Sequence, residues 1–320
     1  MSAPRCAIGV DIGGTGTKAA IVDSHGAAQC HADFPTAGDS APAFARNLRD
    51  LILETKRNAD SRNVQISGIG IAVAGFINGM HDRLAYNPNL AWLEEYPLLD
   101  AIRSEIDLPA VLECDSNAAA LAEYRFGVGK GSQRFLCIAC GTGVGGGMIV
   151  NGEILRYAWE CLGDVGHVIV DADGPQCPCG GRGCIEAIAG ADAIAARWRP
   201  SPAGAREATL RDVITAAREG DGNARQTLSD SGRLLGVALA TLTNILSPDR
   251  IAIAGGLSEA GELILAPIEE TFRASASTFF RERVTISKAA LGAQATLVGA
   301  ACPILREVNE MDSIGAKGAI

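Results

Sequence analysis

Three times along its 320 residues the chain runs a short apolar strand straight into a cluster of glycines. Ala7-Ile-Gly-Val-Asp11 enters Ile12-Gly-Gly-Thr-Gly-Thr17. Phe135-Leu-Cys-Ile-Ala-Cys140 enters Gly141-Thr-Gly-Val-Gly-Gly-Gly147. Arg250-Ile-Ala-Ile-Ala254 enters Gly255-Gly256. Without a Cβ in the way, backbone N–H groups can approach a phosphate closely, and consecutive N–H groups in a turn form a cationic nest. One such turn reads as a tight hairpin, but three of them, each after an apolar strand, point to phosphate handling. The first turn adds the Thr15 hydroxyl and the Lys18 cation to Gly13 and Gly14. Asp11 stands ahead of it, an acid able to hold Mg²⁺ through water, because Mg²⁺ keeps several waters and uses few carboxylates. The spacing matches neither a P-loop nor a dinucleotide-binding glycine fingerprint.

Around these turns the pattern is α/β. Lys18–Asp23 reads as a second strand, 41–57 as a helix with Phe44, Leu48, Leu51 and Ile52 at helical spacing, and Val64–Val73 as a strand. A long loop carries Asn87-Pro-Asn89, Ala110–Glu113 reads as a strand, and 117–126 as an Ala-rich helix with Ser116 or Asn117 near its cap. The opening pattern then recurs. Phe135–Cys140 is followed by the 141–147 turn, a strand at Met148–Val150, and Asn151-Gly152, the strongest short hairpin signal, before Glu153–Leu155. Residues 204–246 read as helical with breaks near Gly220 and Gly222. A helix around 260–266, a closing helix at 303–310 and ten loose terminal residues complete the reading. The length predicts two domains. Each begins strand, glycine turn, strand, a weak internal duplication. The boundary is placed near residue 116, giving domains at 1–116, joined by a C-terminal helix at 303–312, and 117–302.

Hydrophobic residues make up 48% and charged residues 20% of the chain, a globular composition. The net charge of −9 lacks the basic footprint of a nucleic-acid binder and does not suit an anionic membrane surface. No apolar run reaches membrane-spanning length. The start, Met-Ser-Ala-Pro-Arg, leads toward a strand without a signal-peptide core, so a cytoplasmic protein is expected. Ten cysteines in 320 residues are too few for a disulfide scaffold. Cys6, Cys30, Cys161 and Cys302 read as small buried hydrophobes. Cys137 and Cys140 have redox spacing, but a strand puts them on opposite faces. His167, Cys177, Cys179 and Cys184 differ in kind. One imidazole and three thiols in a glycine-rich stretch form a standard structural Zn²⁺ set, tetrahedral and closed. A zinc on one ring nitrogen leaves the other as a fixed N–H donor.

Asp11-Ile-Gly-Gly-Thr15, Gly141-Thr-Gly143, Ala254-Gly-Gly256 and the His167/Cys177/Cys179/Cys184 cluster together resemble the ROK family of sugar kinases and repressors over residues 7–305. The resemblance implies the two-domain actin-like ATPase (ribonuclease H-like) fold, with ATP and sugar in an inter-domain cleft that closes on sugar. It implies that Thr142 and Gly143 hold ATP phosphates and that Gly255 and Gly256 lie beside the adenosine. Asp115 resembles the family's catalytic base; the same residue read alone is a helix N-cap. Asn89, Asp115, Asp164, His167 and Glu186 correspond to sugar contacts, with His167 also a metal ligand. A homodimer or homotetramer is implied too. Three positions differ from the usual family pattern: Cys114 stands where an Asn precedes the catalytic Asp, Asp164 replaces a Glu, and Tyr157–Leu162 replaces a Gly- and Ala-rich loop.

The function expected is ATP-dependent phosphorylation of a hexose hydroxyl, the 6-OH of glucose or a close relative. The alternatives are an amino- or N-acylamino-hexose kinase and a catalytically inactive sugar-binding or regulatory protein. A sugar-responsive repressor is disfavoured, because the first glycine turn begins at residue 13 and the chain is acidic.

Overall fold

The computed structural model describes residues 5–36, 40–157, 160, 162–198 and 208–317, with side chains to residue 306. The chain divides into two compact units. The first is Met1–Phe126, Leu155–Cys161 and Gln294–Ile320; the second is Gly127–Ile154 and Leu162–Ala293.

In the first unit, β1 (Arg5–Ile12), β2 (Gly16–Asp23) and β3 (Ala28–Pro35) form an antiparallel meander. The helix α1 (Ala41–Ser61) then crosses back to β4 (Gln65–Val73), which pairs parallel with β1. Ser40 caps α1 by accepting from the Ala43 N–H. Phe44, Leu48, Leu51 and Ile52 form the apolar stripe of α1. They pack on Ile8, Val10, Ile12, Ile69 and Ile71 of the sheet, all buried. A small hairpin, β5 (Phe76–Ile77) and β6 (Leu84–Tyr86), and the helix α2 (Leu98–Arg103) precede β7 (Ala110–Cys114). β7 joins β4 in parallel and runs without a loop into α3 (Asp115–Phe126). The strand order is β3-β2-β1-β4-β7.

The second unit repeats that topology. β8 (Arg134–Cys140), β9 (Val144–Val150) and β10 (Glu153–Ile154) form its meander. After α4 (Glu186–Ala189), α5 (Ala191–Arg197), α6 (Leu210–Glu219) and α7 (Gly222–Leu246), β11 (Arg250–Ala254) pairs parallel with β8. α8 (Glu262–Ser275) leads to β12 (Thr285–Lys288). The order β10-β9-β8-β11-β12 is the first sheet's order again. Asn151 and Gly152 take positive φ values of 53° and 89°, as the tight β9–β10 hairpin requires.

The closing helix α9 (Ala295–Lys317) belongs to the first unit and lies on the sheet face opposite α1. Its approach is backbone to backbone. A Cβ on Gly70 of β4 would overlap the Ala300 carbonyl, and one on Gly299 would overlap the Ala118 carbonyl of α3. Positions without side chains, Gly9 of β1 against the Leu297 carbonyl among them, therefore set how closely sheet, α9 and α3 stack.

Several expectations change. The first unit runs on through Phe126 rather than ending near 116, because α3 packs against α9 and stays with the first sheet. α3 begins at Asp115, so neither Ser116 nor Asn117 is its cap. Gly145–Gly147 lie within β9, paired with Ala139, Ile138 and Cys137, and the true turn is only 141–143. The strands β3 and β12 lack an apolar signal strong enough to predict them, and α9 begins at Ala295 rather than 303. Cys6 and Cys302 are buried, while Cys30 is half-buried with φ 56°. Cys161, the strand lead-in at 1–4, residues 204–207 and the last three residues lie outside the described residues. Among the described residues, no helix is long and apolar enough to cross a membrane.

Because the α9 contact has no slack, Gly70→Ala is expected to cost about 3 kcal/mol of stability. A thermal melt reads this, and an unchanged Tm would show that α9 can lift off the sheet freely.

Candidate active site and metal centre

In the first unit β1, β4 and β7 are parallel, so their carboxyl ends lie along one edge of the sheet. Ligand sites of open α/β sheets form at that edge. Asp11 and the first glycine turn leave the end of β1, and Asp115 leaves the end of β7. Asp11 stands directly across the β1–β2 ladder from Lys18. The turn closes through Gly13 N–H to the Gly16 carbonyl at 3.1 Å, leaving Gly14, Thr15 and Lys18 exposed. Asn89 is exposed beside the turn: a Cβ placed on Gly14 would lie 3.8 Å from the Asn89 Cβ. Its own N–H donates to Asn87 Oδ1 at 2.8 Å, and Asn87 Nδ2 donates to the Ala74 carbonyl, which fixes the loop.

Asp115 is half-buried and accepts the Ser116 N–H at 2.7 Å. Burial lifts its pKa from 3.8 to about 7, the Asp11 charge adds to the rise, and the backbone hydrogen bond opposes it. Asp11 is also raised, to about 6, again by burial, with Lys18 pulling the other way. Two carboxylates near neutrality on one sheet edge can take or release protons at physiological pH.

The second unit gathers the other glycine turns. Gly255 has φ 79°, and a Cβ on it would overlap the Cys140 backbone at the end of β8, so the 255–256 turn lies against the start of the 141–143 turn. The Ala191 N–H donates to the Gly141 carbonyl at 2.8 Å, docking α5 on the same turn. Glu186, the first residue of α4, accepts the Val144 N–H on Oε2 at 2.9 Å. A Cβ on Gly143 would strike that carboxylate. The second glycine turn and Glu186 therefore form one assembly. This contact has no sequence signal, because 42 residues separate its partners.

Asp164, His167, Cys177, Cys179 and Cys184 also lie in this unit. The four ligand atoms of His167 and the three cysteines lie within 4.8 Å of one another. Cys179 and Cys184 sulfurs are 3.7 Å apart, and Cys177 Sγ is 3.6 Å from His167 Nδ1. A tetrahedral ion with metal–sulfur bonds of about 2.3 Å sets neighbouring sulfurs about 3.8 Å apart. The cluster therefore fits a closed four-coordinate metal. The turn is shaped by Cys177 N–H to the Gly181 carbonyl and Gly181 N–H to Cys179 Sγ. His167 presents Nδ1 to the thiols and Nε2 to Asp164 Oδ2 at 3.4 Å. Asp164 is thus the first group to meet the nitrogen that the cluster leaves free.

The sequence reading missed a polar network beside Asp115. Glu113, only 4% exposed, accepts from the Cys114 N–H at 2.9 Å, Asn117 Nδ2 at 3.0 Å and Arg156, whose guanidinium spans both its oxygens. An acid inside the otherwise apolar run Val111–Cys114 was the available signal. Ala158, Trp159 and Cys161, part of the loop that departs from the family pattern, lie outside the described residues.

A family model, the ROK family, matches residues 7–307. The chain is 31% identical over 322 residues to a glucokinase from Halalkalibacterium halodurans, covering 96% of this chain and 97% of that protein. It is 33% identical to an N-acetylmannosamine kinase of Escherichia coli O139:H28, covering 92% and 96%. A crystal structure of a ROK family glucokinase from Streptomyces griseus, in complex with glucose and AMPPNP, superposes with a TM-score of 0.81 at 32% identity, covering 93% of this chain and 98% of that one.

The raised Asp115 pKa has a consequence for stability. Between about pH 4 and 7 the folded chain holds a proton that the unfolded chain has released, so this group lowers stability as pH rises through that window. Asp115→Asn removes the titration. At about pH 8 its Tm is expected to exceed the parent's by about 2 °C or more, and the gain should vanish near pH 4. Calorimetry at both pH values checks this; a variant with no pH-dependent advantage contradicts it.

Proposed function

The chain belongs to the ROK family and is an ATP-dependent sugar kinase with that family's two-domain actin-like ATPase fold, and from this premise we propose that it phosphorylates the 6-hydroxyl of glucose or a closely related hexose with Asp115 as general base. The observation that carries the role of Asp115 is its place: a half-buried carboxylate with a pKa near 7, at the carboxyl end of β7, on the edge that bears the first glycine turn.

Phosphoryl transfer needs positioned reactants, neutralised charge and a proton acceptor. In this reading the Asp115 carboxylate takes the proton of the acceptor hydroxyl as its oxygen attacks the γ-phosphorus, and ADP leaves. Gly13, Gly14 and Thr15 offer N–H groups and a hydroxyl to the transferring phosphate, with Lys18 as the nearby cation. Thr142, Gly143, Gly255 and Gly256 hold the nucleotide. Mg²⁺ arrives with ATP and screens its phosphate charge, and Asp11 would hold it through water. Asn89, Asp164, His167 and Glu186 contact the sugar, whose vicinal hydroxyls suit carboxylates and amides.

The metal of the Cys₃His cluster is read as Zn²⁺ in a structural role, because four protein ligands leave no open position. It would hold His167 by Nδ1 and keep Nε2 as an N–H donor.

A second reading rests on Cys114, which replaces the amide expected before the catalytic Asp, and on the likeness to an N-acetylmannosamine kinase. A pocket that lacks a hydroxyl-binding amide loses discrimination against sugars altered there. The acceptor would then be an N-acylamino hexose.

A matrix of glucose, mannose and N-acylamino hexoses against ATP and polyphosphate tests both readings. ADP release with glucose is expected, and turnover with N-acylamino hexoses alone selects the second reading. Asp115→Asn is expected to lose about 100-fold or more in kcat, and parental kcat should rise with pH through about 7 as Asp115 deprotonates. A variant at full rate removes the base assignment. Purified protein is expected to carry one zinc per chain by elemental analysis, and Cys184→Ser to lose it together with Tm. A metal-free parent of undiminished Tm would contradict the structural role.

A further inference from the structure

Segment 155–161 belongs to the first unit, although both its sequence neighbours lie in the second. Two clasps hold it there. Arg156 Nη1 donates to Glu113 Oε1 at 3.1 Å, and its Nη2 pairs with Oε2, so the guanidinium grips the carboxylate by both oxygens. Glu160 Oε2 lies 2.8 Å from His81 Nε2, joining the segment to the turn between β5 and β6. The Glu160 carbonyl also accepts from Asn117 Nδ2 at 3.3 Å and from Arg156 Nη1 at 3.2 Å.

All of Glu113's contacts converge where β7 becomes α3. Its Oε1 accepts the Cys114 N–H, which is the peptide just before Asp115, and Asn117 Nδ2, two residues after it. Asp115 is therefore bracketed by two groups bonded to one buried carboxylate. That carboxylate is itself held by a guanidinium from 43 residues further along the chain. The helix begins at Asp115 itself, directly after β7, so Glu113 ties the last strand residues to the first turn of α3.

We propose that Arg156 is a positioning residue for phosphoryl transfer, acting through Glu113 to set the strand-to-helix junction that aims Asp115. The proposal rests on the reading of Asp115 as the general base. The Arg156 fork matches the geometry of a carboxylate, and lysine offers only a point charge there. Loss of the fork leaves Asp115 present but poorly aimed, and a misplacement of about 1 Å can cost around 100-fold in rate. In the proposed function the other sugar contacts are Asn89, Asp164, His167 and Glu186 and the ATP contacts are the glycine turns, so binding should largely survive.

Arg156→Met alone strands a buried charge on Glu113 and endangers the fold. The informative variant is Glu113→Gln combined with Arg156→Met, which removes both charges. In steady-state assays with the best sugar and MgATP, the double variant is expected to keep Tm within a few degrees of the parent. It should also keep both KM values within about twofold, while kcat falls about 30-fold. In Arg156→Ala, millimolar guanidinium is expected to restore part of kcat without lowering either KM, a response that mere loss of packing would not give. Asp115→Asn runs alongside. If Asp115→Asn is inactive and the folded double variant turns over at the parental rate, the positioning role is wrong while the base assignment stands. If Asp115→Asn is itself active, the base assignment has failed and this proposal fails with it. A kcat loss matched by an equal rise in sugar KM, or no guanidinium response from Arg156→Ala that melts as a folded protein, also overturns it.

Discussion

The architecture of the first unit depends on a close backbone approach of α9 to the sheet and to α3. α9 lies on the first sheet at Gly70 and against α3 at Gly299, in both cases with a backbone carbonyl where a Cβ would stand. Side chains in a packed interior can change rotamer and absorb an error; two backbones in contact cannot. The stack of sheet, α9 and α3 therefore has one spacing, and that spacing carries the start of α3 to the carboxyl end of β7. α1 covers the opposite face with ordinary apolar packing from Phe44, Leu48 and Ile52. One face of the sheet is interlocked and the other is filled. The interlocked face is the one that positions Asp115.

The two sheets share one strand order, and each sends a glycine turn out from the end of its first strand. The turns are used differently. In the first unit the turn sits beside two raised carboxylates and Lys18, a setting for charge and proton movement. In the second, the 141–143 turn is braced by Gly255, by α5 and by Glu186, and the Cys₃His cluster lies in the same unit. A duplicated fold has thus been loaded with distinct chemistry in each copy. Function resides in the side chains grafted onto the turns rather than in the topology.

What could be read from the sequence followed from how local each signal is. The three cysteines lie close together among glycines with His167 ten residues ahead, so a cluster able to hold a metal was visible without a fold. The Asn151-Gly152 hairpin is a two-residue signal, and it appears as read. β3 alternates exposed and half-buried residues at a sheet edge, where no apolar run is needed. Glycines 145–147 were read as turn because glycine favours turns. They are strand because the ladder with β8 pairs them, and because Gly146 leaves room for Val165. The Glu113–Arg156 pair was invisible for another reason. A buried ion pair joining residues 43 apart leaves only two unremarkable charged letters, and the acid among apolar neighbours becomes informative only once its partner is seen.

Three acids leave the carboxyl edge of the first sheet, and their surroundings separate them. Glu113 is the most deeply buried and is fully matched, with a guanidinium on both oxygens and two N–H donors on one of them. Its donors come from the backbone and side chains at the β7–α3 junction and from Arg156, so it serves to hold that junction in place. Asp11 has a cation across the ladder but remains partly desolvated, which leaves it charged and able to draw in a counter-charge near neutral pH. Asp115 accepts backbone N–H groups, among the described residues no cation is paired with it, and burial is the largest influence on it. Surroundings, not residue type, separate the acid that holds backbone from the two whose burial pushes their pKa up. Removing the partner of Glu113 would blur that division, because an unsatisfied charge one residue from Asp115's neighbour would compete for the same few donors at the start of α3.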